Sequence, residues 1–113
     1  VRLEKCRDSI ISSCILSDEF SDGQPSQASL LELAECDRIT IQGCQFLNGT
    51  PLGIDAVDCN FTNVVGCTVS DVRAEQKSEA GIRFSGNGKQ NRVSSCIIDD
   101  GWNKGVQGSN SIG

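Results

Sequence analysis

The sequence predicts an all-β fold: a parallel β-solenoid of about four coils with three short strands in each coil. Two observations carry this prediction. The chain of 113 residues contains four similar segments, and in each of them apolar residues alternate with polar ones. Alternation with a period of two indicates strands that bury one face. Repetition of residue types at fixed offsets indicates that equivalent strands stack on one another.

Cysteine marks the repeat. The four segments are residues 1–18, 30–48, 53–71 and 81–100. Each contains a second cysteine, and these are Cys14, Cys44, Cys67 and Cys96. In the first three segments a leading cysteine stands eight residues earlier, at Cys6, Cys36 and Cys59. In the fourth segment Gly88 takes the leading place, with one extra residue around 86–91. The second cysteines are 23 to 30 residues apart, which is typical of solenoid coils.

Apolar residues at constant offsets from the second cysteine define three strands per segment. The predicted buried positions of the first strand are Val1, Leu31, Ile54 and Ile82, with Leu3, Leu33, Ala56 and Phe84 two residues later. Those of the second strand are Ile11, Ile41, Val64 and Val93, and those of the third are Leu16, Phe46, Val69 and Ile98. Connections of unequal length then follow at 19–30, 49–53, 72–81 and 101–105. Their Gly, Pro, Ser and charged residues predict surface loops along one edge of the solenoid.

One stretch of the repeat carries a family resemblance. Ile39-Thr40-Ile41-Gln42-Gly43-Cys44-Gln45-Phe46, together with the endings Ser70-Asp71 and Asp99-Asp100, resembles the repeats of right-handed parallel β-helix proteins in the pectate-lyase-like superfamily. The resemblance covers nearly the whole chain. It implies a right-handed coil, association with polysaccharide, and a secreted or periplasmic location. The catalytic signatures of polygalacturonases are not matched, because the chain has no histidine.

The charge and hydropathy of the chain argue against two classes of binding partner. A net charge of −5 argues against nucleic-acid binding, which requires a basic surface. No apolar run approaches the roughly 18 residues of a membrane-spanning helix, so no membrane partner is predicted. Residues 1–113 are expected to form a single β-helix domain, a segment of a longer solenoid. Because neither end shows an obvious cap, further coils or a homo-oligomer are expected to cover the ends.

The outward positions of the first strand form the main candidate site. They are Arg2, Glu32, Asp55, Arg83 and Gln107. Adjacent carboxyl groups about 5 to 5.5 Å apart are what a retaining glycosidase requires, so Glu32, Asp55 and Arg83 are the candidate catalytic residues. Arg2 and Gln107 are candidate substrate-binding residues, with Trp102 and Lys104 from the following loop. Arginine beside carboxylate suits acidic sugars, but the same pattern is also typical of a solvated salt-bridge ladder.

Two further columns have alternative interpretations. All seven cysteines are expected to face inward as a structural ladder, acting as small apolar residues. A disulfide or a zinc site is the alternative. Four residues after each second cysteine stand polar residues, namely Asp18, Asn48, Asp71 and Asp100. These residue types favour turns, and Asp71 with Asp100 is a candidate calcium site, which would make calcium the only cofactor.

Three hypotheses of function follow. The first is a polysaccharide-associated β-helix module that binds or presents carbohydrate on the first-strand face. The second is a purely structural or adhesive solenoid segment, supported by the lack of a row of aromatic residues. The third is a fragment of a polysaccharide lyase or glycoside hydrolase that uses Glu32, Asp55 and Arg83. The sequence does not decide whether the protein is an enzyme.

Overall fold

A computed structural model describes residues 1–18, 28–72, 79–99 and 106–108 of the chain. The described residues contain thirteen strands, and none of them forms a helix that could cross a membrane. The strands are β1 (Arg2–Glu4), β2 (Arg7–Ser12), β3 (Ile15–Ser17), β4 (Leu31–Ala34), β5 (Asp37–Gln42), β6 (Gln45–Leu47), β7 (Leu52–Val57), β8 (Asn63–Val65), β9 (Thr68–Ser70), β10 (Ala80–Ser85), β11 (Arg92–Ser94), β12 (Ile97–Asp99) and β13 (Val106–Gly108).

The strands assemble into three parallel sheets. The first sheet has the order β1-β4-β7-β10-β13, the second β2-β5-β8-β11 and the third β3-β6-β9-β12. Every third strand along the chain therefore returns to the same sheet, one position further on. Four coils of three strands result, and β13 adds the first strand of a fifth. This arrangement is the parallel β-solenoid that the repeats predict.

The register confirms the predicted apolar columns with one exception. Val1 was predicted to be buried but is 72% exposed, because the described chain covers its coil on one side only. Ile11, Ile41, Val64 and Val93 are successive partners in the second sheet. In the third sheet the successive partners are Leu16, Phe46, Val69 and Ile98. In the first sheet Leu31, Ile54 and Ile82 form one row, and Leu3, Leu33, Ala56 and Phe84 form the next. Side chains of matching type thus lie above one another from coil to coil.

These columns make the hydrophobic core. Phe46 and Phe84 are its largest side chains, and Leu33 and Ile41 are also almost fully buried. Complete burial of one such side chain contributes about 1.5 to 3 kcal/mol to stability. Equivalent residues of the first coil, such as Leu16, are only half-buried because that coil packs against a neighbour on one side. Burial therefore follows position in the stack as well as residue type.

Two strands begin earlier than predicted. The sequence placed 49–53 and 72–81 in loops, whereas β7 includes Leu52 and Gly53, and β10 includes Ala80 and Gly81. The glycines permit close packing between coils, because a Cβ atom on Gly53 would lie 2.8 Å from the carbonyl oxygen of Gly81. Glycine here marks a close backbone approach inside a strand, although it also occurs commonly in loops.

The corners of the coils use left-handed backbone. Every cysteine is immediately preceded by a residue with positive φ, and these residues are Lys5, Ser13, Glu35, Gly43, Asp58, Gly66 and Ser95. A second set begins the second strand or its equivalent, at Asp8, Arg38, Phe61 and Gln90. Left-handed conformation is uncommon outside glycine and asparagine. Its recurrence at the same place in each coil shows that the architecture requires it there.

Candidate functional site

Five polar residues form one row across the outer face of the first sheet. Arg2 is the register partner of Glu32, and Glu32 is the partner of Asp55. Asp55 is also the partner of Arg83, which in turn pairs with Gln107. The buried residues of these strands alternate with them and point into the core. The structure thus brings together the five residues that the sequence placed on this face, hereafter called the first-sheet column.

The first-sheet column contains two ion pairs, Arg83 with Asp55 and Arg2 with Glu32. The Arg83 Nη2 atom donates a hydrogen bond to Asp55 Oδ2 over 3.4 Å, with side chains 32% and 15% exposed. Arg2 Nη1 and Glu32 Oε1 are 4.0 Å apart, with side chains 54% and 28% exposed. The Arg83–Asp55 pair is therefore the closer and more sheltered of the two. The carboxylates of Glu32 and Asp55 belong to neighbouring strands at the centre of the column.

Asp55 has one oxygen atom that lacks a partner. Its Oδ1 atom is buried and accepts no hydrogen bond. The other oxygen, Oδ2, is held by Arg83. A nucleophile or general base must reach the atom on which it acts. Because Oδ1 is buried and Oδ2 is engaged, the present geometry does not offer a free carboxylate at Asp55 for glycoside chemistry, and the catalytic role of Glu32, Asp55 and Arg83 stays a prediction.

Three predicted site residues lie outside the described ranges. They are Asp100, Trp102 and Lys104. The predicted sugar-binding role of Trp102 and Lys104 therefore stays a prediction. The calcium site at Asp71 and Asp100 does so too, since only Asp71 belongs to the described residues. Within those residues, no group of three or more Asp, Glu, His or Cys side chains has the arrangement of a metal site.

The polar column after the third strand extends the sheet ladder. The backbone N–H groups of Asp18, Asn48 and Asp71 donate to carbonyl oxygens of the next coil over 2.8 to 3.2 Å. The side-chain Oδ1 atom of Asn48 accepts a hydrogen bond from the Val72 N–H over 2.9 Å. Asp71 is buried. Asn48 thus shows the turn-forming chemistry that the sequence predicted for this column.

All seven cysteines belong to the described residues and carry free thiols. Cys36, Cys44, Cys59 and Cys67 are buried, whereas Cys6 and Cys96 are half-buried. Cys14 differs from the predicted inward column because it is exposed. Its coil has a neighbour on one side only, so nothing in the described chain covers its outer side.

Every thiol makes the same local hydrogen bond. Each Sγ atom donates to the carbonyl oxygen two residues earlier, over 3.2 to 3.6 Å. The left-handed residue in between turns the chain so that this carbonyl faces the thiol. Several thiols approach a second carbonyl on the preceding coil, as Cys67 does with Ile41 over 3.6 Å. Cysteine therefore combines a small apolar side chain with a weak donor at the seven corners where it occurs.

Burial also sets the chemistry of these thiols. Desolvation raises the pKa of Cys59 to about 11, and burial likewise raises the pKa of Cys67. Nucleophilic and metal-binding cysteines have the opposite tendency, since they act as thiolates with lowered pKa values. Cys59 and Cys67 therefore have the properties of structural thiols.

The fourth coil, which has Gly88 in place of the leading cysteine, uses a buried amide at this corner, a feature that the sequence analysis missed. The side chain of Asn91 is buried; its Nδ2 atom donates to the Cys59 carbonyl and its Oδ1 atom accepts from the Thr62 N–H. Gly88 makes room, because a Cβ atom there would lie 1.9 Å from the Cys59 carbonyl oxygen. The glycine and the extra residue at this corner were the available signals.

A second group of charges, also missed from the sequence, lies where the second strand begins. Arg38 donates hydrogen bonds from Nε and Nη2 to both oxygens of Asp8, and from Nη1 to Asp37 over 2.8 Å. Arg7 lies 3.8 Å from Asp37. We call these four residues the corner network. The hydrogen bond from Arg38 lowers the pKa of Asp8, and the same contact raises the pKa of Arg38.

Comparison with known proteins identifies the family. Residues 1–112 match the family described as "right handed beta helix region". The chain belongs to the right-handed β-helix family. This match confirms the predicted fold and supplies its handedness, and it is consistent with the pectate-lyase-like superfamily. Comparisons with curated proteins and with solved structures returned no match.

Proposed function

We propose that this right-handed β-helix is a polysaccharide-associated module that binds carbohydrate along the first-sheet column. One observation carries the proposal: successive strands present Arg2, Glu32, Asp55, Arg83 and Gln107 in a single row. Neighbouring strands lie about 4.8 Å apart, so donors and acceptors recur at short, regular intervals. A linear polymer with hydroxyl groups on each unit can form hydrogen bonds with several such positions at once.

The same face favours binding over catalysis. Hydrolysis by a carboxylate pair needs one group free to attack or to activate water. Asp55 provides neither, because Arg83 holds one of its oxygens and the other is buried. Glu32 is more accessible and can accept hydrogen bonds from a ligand. The proposal is therefore a module that holds or presents a polysaccharide without cleaving it.

The cysteines serve this proposal as a structural ladder. Their thiols repeat one hydrogen bond at two corners of the coils, and most of them are buried. Such repetition fixes the cross-section of successive coils and so keeps the strands of the first sheet in line. A straight, rigid row of binding groups costs less conformational entropy when a polymer binds.

Binding to an oligosaccharide array, with and without calcium, tests the function. We expect the folded chain to bind at least one class of glycan, and the Glu32→Gln variant to bind it about tenfold more weakly, as the loss of a charge-assisted hydrogen bond implies. Asp37→Asn is the matched control, since it removes one charge from the corner network and should leave binding unchanged.

Two outcomes would contradict this proposal. If the folded wild-type chain binds no glycan, the structural or adhesive solenoid is the better description. If reducing or unsaturated sugars are released, and Glu32→Gln abolishes their release, the protein is an enzyme. Circular dichroism and urea unfolding of each variant will show that lost binding does not reflect lost structure.

A further inference from the structure

The first-sheet column offers unequal groups to a ligand, and this inequality bears on which sugar it accepts. We infer that the column selects sugars that donate hydrogen bonds, above all amino sugars with a free ammonium group, and disfavours acidic sugars. The inference rests on the proposed function, because it names the ligand class for the same face.

The guanidinium group of Arg83 is already engaged within the column. Arg83 donates to Asp55, and both side chains are largely sheltered from solvent. A sugar carboxylate that engaged Arg83 would compete with Asp55 and would leave a poorly solvated carboxylate without its partner. Removing one partner from a sheltered charged pair is costly. Arg83 is therefore poorly placed to recognise an acidic sugar.

The accessible centre of the column is an acceptor. Glu32 lies 4.0 Å from Arg2, the outer limit of an ion pair, and more than half of the Arg2 side chain is exposed. Exposed pairs of this kind contribute little, so a ligand can replace Arg2 beside Glu32 at small cost. An ionised carboxylate only accepts hydrogen bonds. Any ligand group set against Glu32 must therefore be a donor.

Asp55 adds to the negative potential at this point. It is the register partner of Glu32 on the next strand, and its sheltered charge is screened less than an exposed one would be. A carboxylate of a uronic acid placed here meets two like charges on neighbouring strands. An ammonium group meets two opposite charges and can donate hydrogen bonds to the Glu32 carboxylate. A neutral hydroxyl lies between these two cases.

Titration calorimetry with three tetrasaccharides tests the inference. The ligands are a glucosamine tetramer, its N-acetylated form with no charge, and a galacturonate tetramer, each at mildly acidic pH and at low and physiological ionic strength. We expect the glucosamine tetramer to bind about tenfold more tightly than its N-acetylated form at low salt. The galacturonate tetramer should bind most weakly.

Three variants make the preference specific to Glu32. Glu32→Gln should remove the preference for the amino sugar, whereas Glu32→Asp should retain much of it. Asp99→Asn is the control for net charge, since it removes one carboxylate from an exposed position on the third sheet and should keep the full preference. Urea unfolding confirms that each variant is folded.

The outcomes separate this inference from the proposed function. If the galacturonate tetramer binds tightest, or if Glu32→Gln and Asp99→Asn reduce the preference equally, the inference is overturned while carbohydrate binding stands. If none of the three ligands binds and the wider glycan array is also negative, the proposed function fails, and the inference fails with it.

Discussion

The first-sheet column and the corner network are built from the same chemistry, yet they differ in how completely their charges are matched. Each contains two arginines and two carboxylates. In the corner network Arg38 bonds to both Asp8 and Asp37, which lie on neighbouring strands. In the first-sheet column the two carboxylates lie side by side, and Asp55 keeps one oxygen without a donor.

This difference separates a structural cluster from a candidate binding surface. The corner network satisfies its own hydrogen-bonding groups in a solvent-exposed place, so it offers a ligand little that is unused. In the first-sheet column Glu32 is paired only with an exposed arginine 4.0 Å away, so a ligand with donors can improve its hydrogen bonding. A count of salt bridges alone would favour the corner network as a binding site, whereas burial and the weakly paired carboxylate of Glu32 favour the first-sheet column.

The largest expected effect is on stability, at the sheltered pair. Arg83→Ala leaves Asp55 with two oxygens that lack a donor, and should lower the free energy of unfolding by about 2 kcal/mol. Arg38→Ala removes more hydrogen bonds but from an exposed site, so its effect should be smaller. Urea unfolding of both variants measures the difference, and a larger loss at Arg38 would reverse our ranking of the two clusters.

The second largest effect is expected on glycan affinity, which should depend on the first-sheet column and not on the corner network. The Arg38→Ala variant is expected to bind the same glycans as the wild type with unchanged affinity, whereas Arg83→Ala should weaken binding several-fold by releasing Asp55 from its position. The Arg83→Lys variant, which keeps the charge, should recover part of this affinity. Titration calorimetry provides the measurement, and equal losses in Arg38→Ala and Arg83→Ala would place ligand binding outside the column.

At alkaline pH we expect stability to fall because of a buried thiol in the core. The pKa of Cys59 is raised to about 11 in the folded chain from an ordinary value of 9.0. The unfolded chain therefore loses this proton first, and stability should fall as the pH rises from about 9 through about 11.

Urea midpoints measured across this range will report the fall for the wild type. The Cys59→Ala variant should be less stable at neutral pH but should show a shallower decline with pH. An equally steep decline in both proteins would show that Cys59 does not cause it.

The smallest expected effect is at acid pH in the corner network. The pKa of Asp8 is lowered in the folded chain from its ordinary value of 3.8, chiefly by the hydrogen bond from Arg38. The contribution of Asp8 to stability is therefore present above this value and is lost as the pH falls through the lowered folded pKa. Asp8→Asn should remove this part of the acid dependence, and Arg38→Ala should remove it as well. In the wild type, high salt should weaken this contribution of Asp8 to stability, since the side chains of Asp8 and Arg38 are both exposed.

The sequence was sufficient for the stacking, because one buried position repeats in every coil. Ile41 and Val64 occupy the same offset from a cysteine, so their register could be predicted without coordinates. The left-handed corners could not be predicted in this way. Gly43 and Gly66 suggest such a conformation, but Lys5 and Glu35 carry no local signal for it. Tertiary structure imposes it on them, against their intrinsic preference.

The sequence predicted which residues share the first-sheet column, but not how deeply each of them is buried. Alternation placed Glu32 and Asp55 in one row. Their different burial depends on neighbouring strands and connections, which no local pattern encodes. The corner network was missed although Arg7-Asp8 and Asp37-Arg38 occupy matching places after a cysteine in opposite order. Opposite charge order in adjacent repeats is a signal that sequence reasoning can use elsewhere.

The corner of the fourth coil shows where this solenoid tolerates a change of length. Asn91 reaches across an enlarged bend and forms hydrogen bonds with the backbone of Cys59 and Thr62, while Gly88 keeps the bend clear of Cys59. The strands on either side hold their register despite the added residue. A foreign peptide inserted next to the exposed Asn87, with Gly88 and Asn91 kept, should therefore be displayed on the outside of the molecule, with the winding of the other coils undisturbed.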